Sequence, residues 1–129
     1  MPRGYSRERT SVHNLHYHFV WCPKYRKPVL TDEVADRLEQ LIEEKADELD
    51  LDILRLAIQP DHVHLFITGN PKLAPNKIIQ QVKGYTSRNL REEFDFGLPS
   101  LWTRSYFVSS AGEVSSQTIE EYIEAQTGR

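Results

Sequence analysis

The 129-residue chain has one cysteine, Cys22, and that scarcity removes whole classes of chemistry. No internal disulfide, thiolate zinc cage or Cys-x-x-Cys redox pair can be assembled from it. Cys22 reads as a small apolar strand residue. No apolar run approaches the roughly 20 residues of a membrane span, and residues 1–9 lack the apolar stretch of a signal peptide. The expectation is a cytoplasmic protein with no membrane partner. There is no Walker loop and no Gly-x-Gly-x-x-Gly, so no nucleotide cofactor is expected. Repeats, low-complexity tracts and an interdomain linker are also missing. Residues 1–129 are therefore expected to form one domain, long enough to bury roughly two-thirds of its unfolded surface.

An excess of basic charge is lacking too, since the formal net charge is −3. The mean conceals a division along the chain. Residues 1–30 hold six Lys/Arg against one acid, residues 71–105 hold six against three, and residues 31–50 hold nine acids against two bases. An acidic helix can face away from a polyanion while basic segments face it, so the charge neither requires nor excludes DNA.

What is present begins with a strand: His13, Leu15, Tyr17, Phe19 and Trp21 alternate with Val12, Asn14, His16, His18 and Val20 until Pro23 and Pro28 close the segment. Thr31 suits an N-cap with Asp32 and Glu33 in the first turn, and Val34, Leu38, Leu41, Ile42 and Leu49 recur at helical spacing. Residues 51–58 predict a second strand, Pro60-Asp61 a turn, and residues 62–68 a third strand, the last two strands forming a hairpin. A second helix is predicted over 75–91, with Ile78, Ile79, Val82, Thr86 and Leu90 inward and Lys77, Gly84, Arg88 and Arg91 opposite. Residues 94–99 predict a loop, 106–108 a short fourth strand, and Gly112 a flexible joint before a last helix that starts near Ser115 or Ser116 and stops at Gly128. The order β-α-β-β-α-β plus a helix predicts an α+β fold: a ferredoxin-like, RRM-like split β-α-β antiparallel sheet, helices on one face, with a C-terminal addition.

Two short pieces carry the chemistry. In Asp61-His62-Val63-His64-Leu65-Phe66-Ile67, period-2 alternation sends Val63, Leu65 and Ile67 to one face and His62, His64 and Phe66 to the other. The aliphatic side belongs under the two helices, so the imidazoles are expected on a helix-free face. Two His at i and i+2 suit a divalent metal, but they equally suit a hydrogen-bonded pair of strand histidines. In the last helix Tyr122 and Gln126, at i and i+4, lie one above the other. Gln offers an uncharged oxygen ligand and Tyr a phenol, although Tyr122 also suits an amphipathic helix residue beside Ile119 and Ile123.

Residues 17–30, 60–66, 83–88, 101–110 and 119–126 together resemble, in order and over nearly the whole chain, the single-tyrosine HUH transposases of the insertion-sequence 200/605 family. The resemblance implies His62 and His64 as the HUH pair, Gln126 as third metal ligand and Tyr122 as nucleophile. It also implies magnesium or manganese, single-stranded DNA with hairpin ends as substrate, and a homodimer in which the tyrosine helix of one subunit often completes the other's site. Gly112 is then the expected hinge. Such enzymes cleave and rejoin DNA through a 5′-phosphotyrosine. Two departures bear on the site. The loop 94–101 is shorter than in many relatives, and only three residues follow Gln126, so that little helix is expected to secure it.

Lys24, Tyr25, Arg26 and Lys27 form a basic and aromatic cluster, and Lys77, Lys83, Arg88 and Arg91 give the second helix basic character. With Arg104 these are the expected DNA contacts. Trp102 fits either a family motif or the core. His16 and His18 are rival metal ligands if the first strand neighbours the third. Alternative readings are a non-catalytic single-stranded nucleic-acid-binding module using Phe66, a metal-dependent phosphodiesterase using activated water, and a domesticated relative acting on chromosomal palindromic repeats.

Overall fold

Strand β1 (His16–Trp21) is followed by helix α1 (Asp32–Glu48), the hairpin β2 (Ile53–Gln59) and β3 (His62–Thr68), helix α2 (Pro75–Glu93), strand β4 (Phe107–Ser109) and helix α3 (Ser116–Ala125). The computed structural model describes residues 15–110 and 116–126. The expected joint at Gly112, residues 12–14 of the expected first strand and the expected helix stop at Gly128 lie outside them.

The four strands form one antiparallel sheet in the order β2-β3-β1-β4. This is the predicted ferredoxin-like arrangement, with β3 between β1 and β2. Alternation decides the faces. Val63, Leu65 and Ile67 are fully buried beside Phe19 and Trp21, and α1 covers them with Leu38, Leu41 and Ile42 while α2 adds Ile78, Ile79, Val82 and Leu90. Each such side chain contributes about 1.5–3 kcal/mol when withdrawn from water. Trp102 belongs to this core, its ring edge-on to Trp21 at 5.9 Å and its Nε1 donating to Thr86 Oγ1 at 3.0 Å. Thr31 occupies the N-cap position of α1 by its backbone, without a side-chain hydrogen bond.

Three details depart from the regular pattern and position the site. The second face of the sheet is not helix-free: α3 lies on it, burying Ile119 and Ile123 against Val20 and Cys22. Strand β4 sits one residue later than expected, so Phe107 pairs with Val20 and joins that face. A bulge between Ile53 and Arg55 breaks the phase of β2. Ile53 pairs with Ile67 on the core side, yet Arg55 pairs with Phe66 on the imidazole side.

Candidate active site

The tight Pro60-Asp61 turn starts β3 with both imidazoles on the same face, their ring centroids 4.9 Å apart and inclined at 74°. Asp61 Oδ1 lies 2.8 Å from His62 Nδ1. Burial pushes Asp61 up, but hydrogen bonds from Arg26 and His62 outweigh it and hold the carboxyl below the ordinary Asp range. An ionised carboxylate only accepts, so His62 Nδ1 carries the proton of this hydrogen bond, which leaves Nε2 as the nitrogen facing away from Asp61. Burial, helped by His62 and His18, brings His64 down to about 4, so that ring is neutral near pH 7.

Arg26 completes this half. Tyr25 and Arg26 both adopt left-handed backbone, with φ of 59° and 55°, a conformation worth on the order of 1 kcal/mol of strain in a residue with a side chain. The bend carries the guanidinium to Asp61, where Nε donates to Oδ2 at 2.7 Å, while Nη1 reaches Glu124 Oε2 on α3 at 3.5 Å. A groove of about 350 Å³ between them is lined by Arg26, Asp61, His62, Glu120, Ile123 and Glu124.

Tyr122 and Gln126 form the other half. The Tyr122 ring stands 6.1 Å from that of Phe107. Ser105 Oγ donates to Gln126 Oε1 at 2.8 Å and lies 3.1 Å from the Tyr122 hydroxyl. A serine has one proton to give, so the phenol donates to Ser105. Gln126 Nε2 donates to the Tyr122 carbonyl at 3.1 Å, and Gln126 is 3% exposed. It lies just beyond α3 and is secured by these side-chain bonds. The structure thus joins His62 to His64 and Tyr122 to Gln126 on one face of the sheet. Phe107, under Tyr122, is opposite Val20, which is opposite His64; two strand spacings amount to about 10 Å.

Lys83, expected at the DNA, is turned inward. Its Nζ donates to the carbonyls of Thr103, Arg104 and Ser105 at 2.7, 3.3 and 3.0 Å, and burial brings it down to about 8. Its role here is to fasten the segment that presents Ser105. Arg26, half-buried, is likewise engaged by carboxylates. Tyr25, Lys27 and Arg104 are exposed and Lys24 is half-buried, its ammonium 5.9 Å over the Tyr25 ring. Lys77, Arg88 and Arg91 are exposed on α2, across the sheet from the imidazoles. Sequence reasoning missed Asp61, Ser105 and Glu124. Only Asp61 left a signal, as an acid directly before the first histidine in a turn.

His62 and His64 fit a divalent cation, both presenting imidazole nitrogens on one face. Strand β1 does neighbour β3, and the His18 ring is 5.7 Å from His64. Yet among the described residues no three of His, Cys, Asp and Glu are grouped to hold a metal ion, so His18 does not complete the site in this geometry. A third donor of another kind, the Gln126 oxygen, is turned to Ser105. Burial pushes the Cys22 thiol up to about 12, which suits its place beneath α3 and not metal binding.

Fold and site define a class: a ferredoxin-like sheet that carries an imidazole pair and, on the same face, a helix with a tyrosine. The family described as transposase, IS200-like, matches residues 11–126, and the chain belongs to it. The ISDra2 transposase TnpA of Deinococcus radiodurans is 33% identical over 133 residues, covering 98% of this chain and 94% of the relative. The transposase for insertion sequence element IS200 of Salmonella typhimurium is 26% identical over 118 residues, covering 88% of this chain and 77% of that one. A crystal structure of a proposed transposase from Deinococcus radiodurans R1 matches with a TM-score of 0.85 and 33% identity over 100% of this chain and 98% of that chain. A REP-associated tyrosine transposase bound to a REP hairpin matches with a TM-score of 0.61 and 13% identity, over 88% of this chain and 64% of that one, and shares the fold. Among the described residues no helix is long and apolar enough to cross a membrane.

Proposed function

We propose that this chain is a DNA transposase that cleaves and rejoins single-stranded DNA at insertion-sequence ends, with Tyr122 as the nucleophile. One arrangement supports this most: the helix bearing Tyr122 and the residue beyond it, Gln126, are docked on the sheet face that carries His62 and His64. A structural or purely binding role gives no reason for these four side chains to share a face.

In this reading the Tyr122 oxygen attacks the scissile phosphorus as the bond to the 3′ oxygen breaks. The products are a 5′-phosphotyrosine and a free 3′-OH, and the phenol's proton is balanced by the one the leaving oxygen gains. The ester keeps the bond energy, so a 3′-OH can reverse the step without a nucleotide cofactor. His62 and His64 would hold magnesium or manganese, with Gln126 as third ligand. When bound, the metal polarises the phosphate as a Lewis acid. Asp61 fixes the His62 tautomer, and Ser105 orients the phenol.

Gln126 must leave Ser105 to serve, or be supplied by a second copy, and we favour the homodimer, in which α3 of one subunit completes the other's site. Hairpin ends are the expected substrate; that a solved protein of this fold holds a REP hairpin supports this.

The test incubates the protein with Mn²⁺ and labelled single-stranded DNA carrying the element's end. A denaturation-resistant adduct should form, vanish in Tyr122→Phe, and fall strongly in His62→Ala or His64→Ala, while hairpin binding survives. A 1:1 mixture of Tyr122→Phe with His64→Ala regains adduct formation if the site is shared between subunits. Cleavage without an adduct would replace this reading by a hydrolase, and binding alone would replace it by a non-catalytic module.

A further inference from the structure

Phe66 is a large apolar ring that belongs to neither hydrophobic cluster among the described residues. It is half-buried on the imidazole face, beyond the end that α3 covers. Its neighbours there are polar rings: His16 at 5.7 Å and His18 at 5.8 Å between centroids. Directly opposite on β2 is Arg55, exposed, and on this face only because of the bulge after Ile53. The register therefore lays Arg55, Phe66, His18 and Ser109 in one row across the sheet. The adjoining row is Ala57, His64, Val20 and Phe107, and the small Ala57 leaves the sheet edge low beside His64. Two residues of strand separate Phe66 from His64, about 7 Å, within the reach of a nucleotide whose neighbouring phosphate lies at His64.

We propose that Arg55, Phe66, His16 and His18 form a platform for one unstacked nucleotide of single-stranded DNA, its base lying on Phe66 and its phosphate meeting Arg55. This rests on the proposed function, and names where the strand beside the scissile phosphate is held. An aromatic face accepts any base, and a neighbouring guanidinium matches the backbone charge. Flanking imidazoles and a cation make the surface too polar for an apolar protein partner. The half-buried ring keeps apolar surface that a base can cover.

The experiment measures binding of fluorescein-labelled oligothymidine, twelve nucleotides long, by anisotropy in EDTA, in a Tyr122→Phe background so that neither metal nor chemistry enters. Phe66→Leu keeps apolar volume and removes the π-face; it should weaken binding about 5- to 100-fold. Phe66→Trp should bind at least as tightly as the parent. Arg55→Gln should weaken binding and make the slope of log affinity against log salt shallower by about 0.7. A blunt DNA duplex of the same length should bind all variants alike. The proposal is overturned if the parent does not bind oligothymidine, if Phe66→Leu binds it as the parent does, or if duplex and single strand weaken equally. Loss of the Tyr122 adduct in the unaltered chain with this binding intact would instead overturn the proposed chemistry and leave the platform standing.

Discussion

Replacing Asp61 by Asn changes one atom and tests how the imidazole pair is prepared. Asp61 accepts from His62 Nδ1 at 2.8 Å and from Arg26 Nε at 2.7 Å. Asn keeps the shape, loses the charge and offers an amide donor. If that N–H turns to His62, Nδ1 must accept, the proton moves to Nε2, and the lone pair that the proposed metal would use is gone. Loss of a partner of this kind costs about 10- to 100-fold in metal affinity or activity. The cost to folding is smaller, about 1 kcal/mol, because the Arg26 and Asp61 side chains are 31% and 23% exposed and the ion pair is partly screened. The assay is adduct yield against Mn²⁺ concentration, alongside thermal melting. Asp61→Asn should raise the Mn²⁺ requirement tenfold or more at nearly unchanged melting temperature, and Asp61→Glu should recover part of the loss. An unchanged Mn²⁺ requirement in Asp61→Asn would refute the assignment of Asp61 as the group that sets the His62 tautomer.

Three further outcomes are expected. Lys83→Met removes the donor shared by three carbonyls and should destabilise the chain by about 2 kcal/mol in urea unfolding, yet leave the salt slope of hairpin binding unchanged, whereas exposed Lys27→Ala should flatten that slope by about one. Ser105→Ala removes the hydroxyl that contacts both the phenol and the Gln126 oxygen and should slow adduct formation about 5- to 30-fold with hairpin affinity intact, measured by single-turnover kinetics. Folded His64 binds its proton only below about 4, against 6.5 for the ordinary imidazole, so the unfolded chain takes up more protons between those values. Stability is therefore full above pH 6.5 and declines as the pH falls towards 4, by on the order of 1–2 kcal/mol after allowance for solvent, and His64→Gln should flatten that decline in EDTA.

The parts of this molecule legible in the sequence are those governed by local periodicity. Val63, Leu65 and Ile67 against His62, His64 and Phe66 is a period-2 statement that survives folding, and so is the helical stripe from Ile78 to Leu90. What escaped was set by partners distant in the chain. Cationic charge is visible in a sequence but its counter-group is not, so Lys83 and Arg26 looked like phosphate contacts, whereas three carbonyls and two carboxylates hold them. The bulge at Leu54 gives no periodic warning, yet it alone moves Arg55 to the imidazole face. Ile119 and Ile123 announced an amphipathic helix without saying what lay beneath it, and the answer, Val20 and Cys22, closed a face expected to be open. Ser105 had no chemistry of its own to advertise, and its importance comes from standing between Tyr122 and Gln126.

The most direct measurement is the mass of the DNA-linked peptide after reaction with Mn²⁺ and exhaustive nuclease digestion. Trypsin cuts after Arg104 and leaves Tyr106 and Tyr122 in one peptide, so fragmentation must separate them. The account predicts a residual nucleotide on the oxygen of Tyr122. A nucleotide on Tyr106 or any other residue, or a cleaved strand ending in a free 5′-phosphate with no modified peptide, would contradict it.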